Sequence, residues 1–136
     1  MSRGKPVITF RSDGREVQVD LHGYATETAL RFAEDVVEAA WERGAGRVAL
    51  VHGAKHVTSP SASDATGQGR TKWALRQALS RGAFNRWAEP AKSSAHQRGA
   101  ARDRLVLALK SNPRPDPGAP MPEPPPHEYE RTRRRE

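Results

Sequence analysis

The sequence predicts an α/β fold: a two-layer sandwich with a mixed sheet of about four core strands and two helices, preceded by an N-terminal hairpin strand. Three observations carry this expectation. Two β-prone runs, Val7-Ile8-Thr9-Phe10 and Glu16 to Leu21, flank Ser12-Asp13-Gly14, and Asp-Gly between such runs is a hairpin signal. A helix-period stretch follows, with apolar residues at Ala29, Phe32, Ala33, Val36, Val37, Ala40 and Trp41. Then comes Arg47 to Val51, a short apolar run typical of a buried strand. Strand, helix and strand in that order close as a right-handed βαβ unit with parallel strands.

The elements follow in turn. In the first helix Thr26 is the expected N-cap, Glu27 lies in the first turn, and Gly44 is placed to end the helix. Its outer face carries Glu34, Asp35, Glu38 and Glu42, which repel a polyanion and direct binding elsewhere. Residues 54–69 lack periodicity and read as a flexible flap, a loop of a length more often functional or mobile than incidental. A second helix is expected from about Thr71 to Ser80, burying Ala74, Leu75, Ala78 and Leu79, exposing Lys72 and Arg76, and stopping near Gly82. Ala83 to Trp87 reads as a short strand and Leu105 to Leu109 as a better one, with the loop Glu89–Asp103 between them. Eight of the eleven prolines fall within residues 113–126, which excludes helix and sheet there. The expected organisation is a domain over residues 1–110, with its hairpin strand at 5–15 and core at 16–110. A disordered, proline-rich, basic-ended tail over 111–136 completes it.

Composition narrows the chemistry. The 136 residues suit one domain and a tail. With no cysteine, thiolate zinc sites, disulfides and thiol nucleophiles are excluded, and a reducing cytoplasm is the expected compartment. No window approaches the roughly 18 continuous apolar residues of a membrane span, and no secretory signal opens the chain. The net charge of +7 is unevenly placed: residues 55–110 hold 11 Lys/Arg against 3 Asp/Glu, whereas residues 1–54 hold 7 against 8. So one-sided a field fits nucleic acid as partner, and its plain alternative is a solvated basic surface.

Val19-Asp20-Leu21-His22-Gly23 is the most informative stretch. Side chains alternate along a strand, so Asp20 and His22 emerge on one side while Val17, Val19 and Leu21 anchor the other. The second parallel strand ends in His52-Gly53, and ligands of open α/β sheets bind at the carboxyl edge these strands share. Phosphodiester cleavage needs a proton acceptor, a proton donor and positive charge around the phosphorus. His22 suits acid or base work near neutrality, Asp20 orients it or engages the nucleophile, and His52 takes the opposite proton-transfer role. Lys55, Arg70 and Lys72 are the expected phosphate cations, aided by amides around Gly67 and Gly69, with Arg76 and Arg98 as further contacts. Trp73, among cations, suits base stacking, as does Trp87 beside Arg86, although packing is the competing role. RNA supplies its own 2′-hydroxyl nucleophile and needs no metal; DNA requires activated water, usually with a divalent ion. Competing readings remain open: Asp20 as a cap for the next helix, and His52 as a hydrogen-bonded structural residue. His56 and His96 lack metal-ligand spacing, so no metal site and no cofactor are expected.

The motif order resembles the small MutS-related (Smr) domain over Val17 to Lys110. Val19-Asp20-Leu21-His22-Gly23 is similar to that family's Leu-Asp-Leu-His-Gly, with Val replacing the first Leu. His52-Gly53-Ala54-Lys55, Gly67-Gln68-Gly69 and Lys72 correspond to its second motif, and Gly99-Ala100 to the end of a third. The resemblance implies a fold similar to the C-terminal domain of bacterial translation initiation factor three. It also implies endonuclease activity, nicking DNA or cleaving RNA on or near ribosomes. The expectation is therefore a monomeric nucleic-acid endonuclease, RNA slightly preferred over DNA, working by Asp/His acid-base catalysis. The alternatives are a non-catalytic nucleic-acid-binding module and a ribosome-associated scaffold.

Overall fold

A computed structural model describes residues 6–53, 67–89 and 104–126, with backbone alone for 67–69. Strands β1 (Ile8–Arg11) and β2 (Glu16–Asp20) form the expected antiparallel hairpin, with Ile8 opposite Val19 and Arg11 opposite Glu16. Ser12, Asp13 and Gly14 turn the chain with φ of 52°, 57° and 85°. Aspartate tolerates that left-handed region because its short polar side chain bonds locally. Helix α1 (Thr26–Glu42) carries the chain to β3 (Arg47–Val51), which lies parallel to β2 with Val17 opposite Val48 and Asp20 opposite Val51. Helix α2 (Gly67–Arg81) and β4 (Arg104–Ala108) follow, β4 running antiparallel to β3. The result is a four-stranded mixed sheet in the order β1-β2-β3-β4, with both helices packed on one face. Of the expected flap over 54–69, residues 54–66 lie outside the described residues, as do residues 90–103 of the expected loop Glu89–Asp103.

Alternation along each strand sets the two layers. Val17, Val19, Val48, Leu50, Leu105 and Leu107 point to the helices and are fully buried. They meet Ala29, Phe32, Ala33, Val36, Val37 and Ala40 of α1 and Leu75, Ala78 and Leu79 of α2. A buried side chain of this size contributes roughly 1.5–3 kcal/mol, so these rows hold the fold. The opposite face has no helix on it among the described residues. Thr9, Arg11, Glu16, Gln18, Asp20, Arg47, Ala49, Val51, Arg104, Val106 and Ala108 belong there by register.

Both helices end as their glycines predict. After α1, Gly44 (φ 86°) lets Ala45 N–H reach Ala40 O and Gly44 N–H reach Trp41 O; after α2, Gly82 (φ 90°) does the same with Ala83 to Ala78 and Gly82 to Leu79. Two local expectations are corrected. Thr26 does not cap α1: Ala25 holds the cap position without a side-chain bond. Ala83 to Trp87 is a run of turns, with Asn85 N–H on Gly82 O and Ala88 N–H on Phe84 O, and only Ala88 pairs with Leu109. The physical reason is spacing: Phe84, Trp87 and Ala88 pack on the core at i, i+3 and i+4, a turn's period rather than a strand's.

The domain also runs past Lys110. Residues 111–126 contain no helix or strand, as their prolines require, yet through Pro125 they lie along α1 as a strap rather than a disordered tail. The strap meets groups that the end of α1 leaves open. Asn112 Nδ2 donates to Trp41 O (2.8 Å) and Asp116 N–H to Glu42 O (2.8 Å), satisfying last-turn carbonyls. Proline-rich backbone offers mainly acceptors, and these are used: Arg43 donates to Ala119 O (2.5 Å) and the Tyr24 hydroxyl to Pro125 O (2.7 Å). Ala119 is buried and Met121 packs on the core. A Cβ at Gly44 would meet Pro115 Cβ at 2.6 Å, so the glycine also admits the strap. Residues 127–136, including the basic terminus, lie outside the described residues. Tyr24→Phe is expected to cost about 1 kcal/mol, and truncation after Lys110 several times more, in urea unfolding; equal midpoints for the wild-type and truncated chains would show that the strap contributes nothing.

Candidate functional site

Parallel pairing of β2 and β3 determines where the polar residues fall. Leu21 N–H donates to Val51 O at 2.7 Å, extending the ladder to the strand ends, so both His-Gly pairs leave the sheet at one edge as expected. At that edge the first turn of α1 meets the second turn of α2, with Thr26 Oγ1 and Thr71 Oγ1 3.3 Å apart. The carboxyl edge, the start of α1 and the start of α2 are thus one locality.

Asp20 and His22 emerge together there. Asp20, partly exposed, lies by register on the side away from Val17 and Val19, and His22, in the turn that follows the strand, is exposed. Asp20 Oδ1 accepts the backbone N–H of His22 at 3.0 Å. This is an aspartate-stabilised turn, so the carboxylate fixes the loop that presents the imidazole rather than orienting the ring itself. The next residue, Gly23, has φ of 89°, and the chain turns there toward α1.

His52 is placed differently. It continues the row Val48, Leu50, which faces the helices, and it is 3% exposed. His52 is therefore sealed from solvent, on the side of the sheet opposite Asp20, and is no solvent-facing counterpart of the exposed His22. Lys72 is corrected in the same sense. Thr71, Lys72, Leu75, Ala78 and Leu79 form the inward face of α2, and Lys72 is 4% exposed rather than solvent-facing, whereas Ala74 is only half-buried. The expected glycine loop at Gly67-Gln68-Gly69 is the opening turn of α2, which begins four residues earlier than its apolar period indicates.

On the outer side of α2, Arg70 is exposed and Arg76 half-buried. Arg76 stacks its guanidinium 4.8 Å from the Trp73 ring centroid, and Lys72 Nζ lies 5.5 Å from the same ring. Partial burial lowers the Arg76 pKa from its ordinary value through desolvation. Trp73 Nε1 is sealed from solvent without a hydrogen-bond partner among the described residues. Trp73 thus meets cations already and is not a bare stacking surface; Trp87 packs on the core with Arg86 5.7 Å from its ring. Lys55 and Arg98 lie outside the described residues.

The sheet face away from the helices carries cations that the order of residues along the chain does not reveal. Arg47 Nε pairs with Glu16 Oε1 at 2.6 Å, its side chain 54% exposed, a pair worth at most about 1 kcal/mol in solvent. Arg104 NH1 and Arg11 NH1 donate to the same oxygen, Gln18 Oε1, at 3.1 and 3.4 Å. Arg104 also lies in the row Asp20, Val51, Arg104, two strands across from the carboxylate. The signal that could have found them is register: once β1 and β4 are paired to β2 and β3, Arg11 and Arg104 must share a face with Asp20. Among the described residues no group of three or more His, Asp or Glu is arranged to hold a metal ion. No helix among them is long and apolar enough to cross a membrane.

No protein-family model, curated protein or solved structure matches the chain.

Asp20→Ala removes the acceptor for the His22 amide and should cost about 1 kcal/mol, while Asp20→Asn keeps an oxygen there and should cost less. His52→Ala, emptying a buried position, should cost about 1–3 kcal/mol. Urea denaturation checks both, and an Asp20→Ala protein as stable as wild type would show that the turn does not depend on the carboxylate.

Proposed function

We propose that the chain binds nucleic acid over the open sheet face and cleaves phosphodiester bonds at the Asp20–His22 turn, as an endonuclease of the Smr type that prefers RNA to DNA. One observation carries this reading. An exposed histidine sits in a turn fixed by Asp20 at the carboxyl edge of a parallel strand pair, and Asp20 shares its sheet face with Arg11, Arg47 and Arg104. The acidic outer side of α1 (Glu34, Asp35, Glu42) repels a polyanion from that helix.

For RNA the step balances without a cofactor. His22 accepts the proton of the 2′-hydroxyl as its oxygen attacks the adjacent phosphorus, and the bond from phosphorus to the 5′ oxygen breaks. The products are a 2′,3′-cyclic phosphate and a 5′-hydroxyl whose proton comes from water. Arginines flanking the phosphate stabilise charge as it develops. DNA lacks that hydroxyl, and its hydrolysis would call on a divalent ion. A cysteine-free chain suits a reducing cytoplasm, the compartment we assign to this activity.

A second reading, a binding module without catalysis, is favoured by one specific finding. Asp20 Oδ1 is engaged by the turn and His52 is sealed on the opposite side, leaving one exposed imidazole where two proton-transfer groups were expected. Labelled single-stranded RNA and supercoiled DNA, each with and without chelator, separate the two. Under the endonuclease reading His22→Ala abolishes RNA cutting, with a loss of roughly a hundredfold or more, and affinity stays within a few fold. If wild-type protein binds RNA but never cuts it, the binding module is the function; if His22→Ala cuts as well as wild type, His22 is not the acid-base group.

A further inference from the structure

We infer that the chain forms a two-fold dimer in which the outer edge of β1 pairs antiparallel with β1 of a second copy, centred on Thr9, so that two sheets join into one. The inference stands apart from the nucleic-acid reading above. Where the sequence alone suggests a monomer, the edge of the sheet supplies a contact that matches itself.

The two edges of the sheet differ. Along β4 the segment before residue 90 covers the outer side: Glu89 N–H donates to Ala108 O and Lys110 N–H to Trp87 O, each at 2.8 Å, around the Ala88 to Leu109 bridge. Along β1 no segment among the described residues does so. Pairing parity shows which groups are left. Asp20 N–H donates to Val7 O at 2.8 Å, so Val7, and at two-residue intervals Thr9 and Arg11, turn their backbone groups to β2. Ile8 and Phe10 therefore point theirs outward, and unpaired edge groups are a template for another strand. Pro6, which lacks an N–H, lies before them and the turn at Ser12 after them, which limits the template to these two residues.

A second β1 fits that template. With Thr9 opposite Thr9, Ile8 of each copy faces Phe10 of the other, and the two pairs use every outward donor and acceptor. Centring on Phe10 would instead set Ile8 against the turn at Ser12, and centring on Ile8 would set Phe10 against Pro6. Side chains agree with the backbone. Ile8 and Phe10 lie on the helix-facing side, opposite Val19 and Val17, and Phe10 is 46% exposed, more than any other large apolar side chain among the described residues. Arg43 covers one side of its ring, 4.8 Å from the centroid, and cross-strand contact with Ile8 of the second copy would cover more. Charge agrees as well, because this register holds the two Arg11 Cα atoms about 14 Å apart, beyond the screening length of about 8 Å at physiological ionic strength. The two-fold axis is perpendicular to the sheet and keeps both helical layers on one side. It also sets Arg11 of the second copy opposite Val7, in the row of Asp20. So short a contact belongs with small, reversible interfaces, and a dissociation constant on the order of 100 μM is expected.

The chain has no cysteine, so single cysteines report the register. Thr9→Cys places two thiols at a non-hydrogen-bonded pair, with Cα atoms about 4.5 Å apart, and brief copper-catalysed air oxidation should link that protein into a disulfide dimer. Arg11→Cys, too far from its copy for a disulfide, should stay unlinked. Sedimentation of the wild-type chain from about 10 μM to about 1 mM should show the mass rise from one chain toward two. Phe10→Lys, which charges the edge at an exposed position, should stay at one, with circular dichroism showing that the fold is kept. Over the same range, amide hydrogen exchange at Ile8 and Phe10 should slow, while Thr9 and Arg11, bonded to β2, should not change. A wild-type chain that keeps the mass of one copy at 1 mM would overturn the dimer. A dimer that Phe10→Lys leaves intact, or that Thr9→Cys fails to link, would place the contact elsewhere and overturn it as well. Full protection of Ile8 and Phe10 in the dilute monomer would show that another segment of the chain covers the edge, with the same consequence.

Discussion

Parallel pairing between β2 and β3 is the constraint on which everything else depends. It fixes Val17 against Val48 and Asp20 against Val51, and the Leu21 to Val51 hydrogen bond carries it to the strand ends. Because side chains alternate, that single register decides which polar residues at the edge see solvent and which see the helices. Asp20 falls on the side away from the helices with His22 exposed in the turn beyond it, and His52 continues the buried row of Val48 and Leu50. Slipping either strand by one residue would exchange those places and expose the apolar rows that hold the fold.

Much of this is legible in the chain itself. The Asp13-Gly14 turn, the α1 stripe from Ala29 to Trp41 and the glycines after each helix are local signals, each contained within one turn, one helix or one hairpin. His52 is readable too, since it follows Val48 and Leu50 at period two, but its likeness to His22 in the repeated His-Gly pair suggests a shared role that pairing parity contradicts. Lys72 misleads because charge argues for solvent, whereas its position one turn before Leu75 and two before Leu79 on α2 argues for the inward face. Arg11 and Arg104 cannot be read as neighbours of Asp20, for they are joined to it only by strand pairing.

The strap shows why composition alone underdetermines order. Eight prolines in residues 113–126 rule out helix and sheet, and an isolated segment of that kind would be a solvated extended chain. Here the same lack of N–H donors leaves carbonyls for Arg43 and Tyr24, while Asn112 and the Asp116 amide meet carbonyls at the end of α1. Two sets of unmet backbone groups complete each other.

The central claim is that the open sheet face, and not the helical layer, is the surface that meets nucleic acid. Ultraviolet crosslinking to a single-stranded RNA carrying 4-thiouridine, with crosslinked peptides identified by mass spectrometry, tests it most directly. The account predicts adducts in the peptides containing Arg11, Gln18, His22 and Arg104. Adducts confined to α1 and α2, with none from β1, β2 or β4, would contradict it.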